Sequence, residues 1–136
     1  GKFAKNPRDF IYGSSDRFDE ATDRLRAVRD KQFLYVSNYY PNKIKYKNIK
    51  YRKQMPMMVE MLNLRDQKKL NKIQMQWFET KISEELYDCK SDPHNIKNIA
   101  DDPKYRNELN KLRKAFLNHQ QKYVDLGMVP EAKLIN

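Results

Sequence analysis

Residues 25–40, LRAVRDKQFLYVSNYY, constrain the fold more than any other stretch, because two runs rich in aromatic and branched residues flank a short charged break. Past Asp30-Lys31, Phe33, Tyr35 and Ser37 share one parity and Leu34, Val36 and Asn38 the other, the period of two that a β-strand imposes on its faces. Arg29-Asp30-Lys31-Gln32 supplies the turn, so the stretch predicts the central hairpin of an antiparallel sheet even without an Asn-Gly pair.

Upstream, Phe10-Ile11-Tyr12-Gly13 reads as a further strand, ended by Gly13-Ser14-Ser15. In the next segment, DRFDEATDR, Asp16, Asp19, Glu20 and Asp23 recur at helical spacing on one face, a local concentration of carboxylates in a basic chain. The plain reading is a solvated loop or helical turn offsetting Arg17, Arg24, Arg26 and Arg29; the sharper one is a ligand-facing loop. An EF-hand loop is excluded, since Ala21 stands where that loop needs its glycine.

Residues 39–53 interleave Lys43, Lys45, Lys47, Lys50, Arg52 and Lys53 with Tyr39, Tyr40, Tyr46 and Tyr51. Lysines for phosphates and tyrosines for stacking make this the best case for a basic nucleic-acid-binding module, set against a solvated loop carrying half-buried tyrosines. From Met55 to Phe78 the pattern is helical, starting at Pro56 and interrupted by DQKK, which predicts two short helices with Met58, Met61 and Leu62 turned to the core and Trp77 and Phe78 anchoring the arm to the sheet. Leu86-Tyr87 reads as a short strand, Asp92-Pro93 as a turn, and Asp102-Pro103 as an N-cap with proline at the first helical position. Tyr105, Leu109, Leu112, Phe116, His119 or Gln120, and Tyr123 then form one helical stripe opposite Lys104, Lys111 and Lys114, stopped by Asp125-Leu126-Gly127. The tail MVPEAKLIN is expected along the surface.

A chain of 136 residues fits one domain, and its formal net charge of +10 draws polyanions without saying which. One cysteine, Cys89, excludes an internal disulfide framework and a cysteine-based zinc cluster. No apolar run is long enough to span a membrane, and Gly1 with no initiating Met reads as a trimmed end, hence a fragment. His94 and His119 have no partner motif for a nucleophile or a metal, and there is no Gly-rich phosphate loop, HExxH or CxxC.

Two blocks carry a family resemblance. EELYDCKSDPHNIKNIADDP, beginning at Glu84, is similar to the pattern EELYDLxxDPxExxNLAxDP, with Cys89 for the usual Leu and Asn95 for the usual Glu; RAVRDKQFLYVSNY, beginning at Arg26, is similar to RAVRDxRYKYIxNY. Together with DRFDEATDR before them and DLGMVPEAKL after, they resemble the C-terminal region of type I sulfatases of the alkaline-phosphatase superfamily, closest to the heparan N-sulfatase-like branch.

The resemblance implies an α+β fold in which a small antiparallel sheet of about four strands packs against the long C-terminal helix, with additional short helices. It implies that 1–136 is a single C-terminal subdomain beside an absent catalytic α/β domain, which should carry calcium and the formylglycine made within a C/S-x-P-x-R motif. Cys89 is not that nucleophile, because Lys90-Ser91-Asp92-Pro93 follows it. The parent reaction is expected to be hydrolysis of a sulfate ester or sulfamate on a sulfated sugar, with this fragment inactive alone and no catalytic or metal residue in it. Asp16, Arg17, Asp19 and Glu20 match the family's DRxDE stretch and are the substrate-binding candidates. The expected partners are the upstream catalytic domain and the sugar, with self-association through any face left exposed, and the expected compartment is periplasmic, secreted or lysosomal.

Overall fold

In the computed structural model, which describes residues 5–133, the hairpin at 25–40 forms as β2 (Ala21–Arg29) and β3 (Phe33–Asn38). Asp30 makes the turn: its Oδ1 accepts from the backbone N–H groups of Gln32 and Phe33 at 2.9 and 2.7 Å, and its own N–H donates to the Phe33 carbonyl. This is the local side-chain closure that favours Asp in turns. β1 (Ile11–Phe18) and β4 (Glu84–Asp88) complete a four-stranded antiparallel sheet of order β1-β2-β3-β4. β4 runs antiparallel to β3 with Tyr35 opposite Leu86 and Ser37 opposite Glu84.

The expectation that Gly13-Ser14-Ser15 ends the first strand is corrected, since β1 passes through it to Phe18. Serine and glycine are poor strand formers by themselves, but pairing with β2 holds them extended.

The chain divides into two compact units. The first comprises residues up to Ser14, Leu25–Ser37 and residues from Glu84 onward. Its core joins Val28, Tyr35 and Leu86 of the strands to Leu109, Leu112 and Phe116 of α3 (Arg106–Lys122), which packs its stripe on them with the Tyr35 and Phe116 rings 5.7 Å apart. Fully burying side chains of this size contributes about 1.5–3 kcal/mol each. Asp102 caps the entry as predicted, accepting from Lys104 N–H at 3.0 Å, with Pro103 opening a 3-10 turn that leads into α3. Tyr123 falls just past the helix and is extended, so the stripe ends at His119. The last three residues of the tail lie outside the described residues.

The second unit comprises Ser15–Arg24 and Asn38–Ser83. It contains the two predicted helices, α1 (Pro56–Asp66) with Pro56 at its first turn, and α2 (Lys72–Met75), which a reciprocal Asn71–Gln74 capping box starts and a 3-10 turn at Gln76–Phe78 continues. Tyr46, Ile49 and Met58 are buried. Trp77 and Phe78 pack on Tyr46 at 5.5 and 5.3 Å, and Arg52 lies over both Trp77 and Phe18 of β1, so the tie of this arm to the strand runs through a guanidinium.

Candidate functional site

The four candidate residues occupy the tip of the β1–β2 hairpin, not a helical turn. Asp16 and Arg17 are in β1, Asp19-Glu20 is the two-residue connection, and Asp23 is in β2. Asp19 takes φ 53°, the left-handed conformation that tight hairpin turns require and that Asp tolerates. The helical spacing of the acids is therefore coincidental. Alternation along β1 puts Asp16 and Phe18 on one face and Arg17 on the other, so the candidates do not converge on one point.

Their bonds are individual. Asp16 pairs with Arg24 at 3.3 Å, as the charge-offsetting reading expects. Glu20 accepts from the Lys50 N–H at 2.8 Å, and this bond is the main reason its carboxyl is held below the ordinary 4.5. Arg17 is exposed on β1. Beside them, Arg24 and Lys43 both lie over the Tyr40 ring, 5.7 and 4.7 Å from its centroid, and Lys43 Nζ donates to Thr22 O at 2.7 Å. The tip thus offers cations, an aromatic face and carboxylates, a combination suited to an anionic polar ligand.

Sequence reasoning missed the buried charge cluster below the tip. Asp23, 2% exposed, accepts from Lys47 through Oδ2 and from Lys81 through Oδ1. Two ammonium groups share one carboxylate, so burial first, then the charges of Lys81 and Arg52, bring Lys47 down to about 8 from 10.5. Nothing in the sequence distinguished Asp23 from its three acidic neighbours.

The same contacts weigh on the nucleic-acid reading of residues 39–53. Tyr46, at 4% exposure, has no face for a base, and Arg24 and Lys43 already lie over the Tyr40 ring. No finding supports that reading. Of the histidines, His94 is exposed in the turn after Pro93 and His119 stacks on Tyr12 with ring centroids 3.7 Å apart. Among the described residues no three His, Cys, Asp or Glu side chains come together to hold a metal ion.

The motif of residues 84–103 is a folding device. Asp88 accepts from Lys90 N–H at 3.1 Å, Asp92 from Lys97 N–H at 2.8 Å, and Asn98 Oδ1 from Leu86 and Ala100 N–H at 2.9 and 3.0 Å, while Ile99 N–H donates to Leu86 O. Its polar residues thereby tie the irregular chain that leaves β4 back onto that strand.

No protein-family model matches the chain. Over its whole length it is 46% identical to the C-terminal part of an ulvan-active sulfatase of Formosa agariphila, and it spans about 23% of that protein. The solved structure of BT4656 in complex with its substrate D-glucosamine-2-N,6-O-disulfate shares the fold with a TM-score of 0.53 at 16% identity, covering 93% of this chain and 19% of that one.

Proposed function

We propose that this chain, a sulfatase C-terminal region by its end-to-end match to one, completes the substrate side of an enzyme that hydrolyses sulfate esters or sulfamates on a sulfated sugar. The observation that carries the proposal is the 46% identity extending over 100% of the chain, which includes both motif blocks. On this reading residues 1–136 act as one C-terminal subdomain of a longer protein, and the hairpin tip presents Arg17 to a sulfate, with Asp19 and Glu20 accepting from sugar hydroxyls or holding Arg17 in place. The name of the relative points to ulvan as the first substrate to try.

The described residues do not fit a calcium site, and Cys89 lacks the C/S-x-P-x-R surroundings, so calcium and formylglycine belong on this reading to the upstream part. The exposed Ile11 of the edge strand β1, at 55% and on the strand face opposite Tyr12, fits a surface that the upstream part covers.

The test is sulfate release by the full-length protein from ulvan, from a sulfamate such as N-sulfated glucosamine, and from an aryl sulfate, beside the isolated chain with calcium. Release by the full-length protein alone is expected. Release from none of the three substrates, or turnover by the isolated chain, would overturn the reading.

A further inference from the structure

We propose that the concave face around Tyr12 and His119 is a second binding site on this chain, made of residues other than the hairpin tip and suited to a sulfated polysaccharide strand; the class of ligand rests on the function proposed above. Tyr12 of β1 and His119 of α3 stack almost parallel, 9° between planes, and Tyr123 tilts against the histidine with ring centroids 4.7 Å apart. These three rings line two hollows at once. One, of about 340 Å³, adds the polar Ser14 and Gln120 and the Arg26–Asp125 pair, in which Nε and Nη2 each donate to a carboxylate oxygen at 2.7 Å. The other, of about 460 Å³, adds Arg8, Lys122 and Asn118, and its lining contains no acid.

Each part answers one feature of the ligand. A sulfate half-ester is charged at any physiological pH and pairs with cations that no carboxylate holds, and Arg8 and Lys122 have no carboxylate partner among the described residues, the Lys122 ammonium lying 5.3 Å over the Tyr123 ring. A pyranose ring presents C–H faces, which lie well on the π face of an aromatic ring, and Tyr12 is 42% exposed. Hollows of this size with an apolar wall and a few polar groups are the usual form of a small-ligand site, and two of them sharing a wall suit successive residues of one strand. The Arg26–Asp125 pair is rigid because it is bidentate, and with its arginine donors engaged it would offer ring hydroxyls the carboxylate acceptors of Asp125.

The experiment uses the full-length protein, with dextran sulfate and uncharged dextran as matched probes in calorimetry at several salt concentrations, and with turnover of a small aryl sulfate as the measure of the catalytic centre. The double substitution Arg8→Ala and Lys122→Ala, and separately Lys122→Glu, which alters one exposed side chain, are expected to weaken dextran sulfate binding about tenfold and to flatten its salt dependence. Aryl sulfate turnover should hold in both. Equal binding of charged and uncharged dextran, or unchanged affinity in both variants, would overturn the proposal. So would a joint fall in aryl sulfate turnover and melting temperature, which would make this face the seat of the upstream domain. Wild-type protein that binds dextran sulfate here yet releases no sulfate from any substrate would sink the enzymatic reading and leave this site standing.

Discussion

Cys89 and Asn95, two of the positions at which the chain departs from the sulfatase motif, touch each other: Cys89 Sγ lies 3.4 Å from Asn95 Oδ1. Asn95 is also one of three non-glycine residues at positive φ among the described residues, at 53°. A Leu-and-Glu pair and a Cys-and-Asn pair thus meet the same turn with different chemistry, a weak S–H···O contact here. Replacing Cys89 with Ala is expected to cost less than about 1 kcal/mol and to leave sulfate release by the full-length protein unchanged. Abolished release with intact folding would mean that Cys89 takes part in the chemistry.

Asp23 is the residue whose loss should hurt most in the second unit. Asp23→Ala leaves Lys47 and Lys81 buried without their carboxylate and is expected to cost about 3–5 kcal/mol, read as a drop in melting temperature. Lys47→Met should be far milder, since Lys81 keeps its partner. Lys47 titrates lower when folded than when unfolded, so the unfolded chain holds more protons between pH 8 and 10.5 and stability should rise with pH across that window. Lys47→Met should remove that rise, and its persistence would assign it to another group.

Glu84 sits between Tyr35 Oη, which donates to it at 2.6 Å, and Arg113, which donates to both of its oxygens at 2.9 and 2.7 Å. The Arg113 bonds lead in holding its carboxyl below the usual 4.5, and the Tyr35 bond adds to them against partial burial. A depressed carboxylate stabilises the fold above its unfolded value and loses that contribution as the pH falls through the folded one. Glu84→Gln is expected to cost about 1–3 kcal/mol near neutral pH, with a shallower loss below pH 4.5, in urea unfolding from pH 3 to 7. Parallel acid limbs for both proteins would count against this.

On the proposed function, Arg17→Ala in the full-length protein is expected to lower kcat/KM on a sulfated sugar by tenfold or more, about 1.4 kcal/mol of transition-state stabilisation, with the melting temperature nearly unchanged. Asp19→Gly, which relieves the positive φ, should leave the melting temperature unchanged or slightly raised while it removes the carboxylate from the tip. If Arg17→Ala alters only the melting temperature, the tip is a structural turn.

Much of the fold is legible before any coordinate is known, because its signals are local. The parity of Phe33 to Asn38, the turn acid Asp30, the capping Asp102 with Pro103 and the spacing of Leu109, Leu112 and Phe116 each act within a few residues, where strand and helix geometry dictate the pattern. The hairpin tip escaped because four acids at mixed spacing satisfy a helical turn as well as a strand–turn–strand, and pairing between β1 and β2 decides between them. Ion pairs are illegible for a different reason. With 28 basic and 18 acidic residues in the chain, only the folded path selects Lys81 for Asp23, Asp125 for Arg26 and Lys111 for Asp30. The tertiary structure likewise brings Tyr12 onto His119, 107 positions along the chain and on another kind of element, because the contact depends on how α3 lies across the strands rather than on either residue's neighbours.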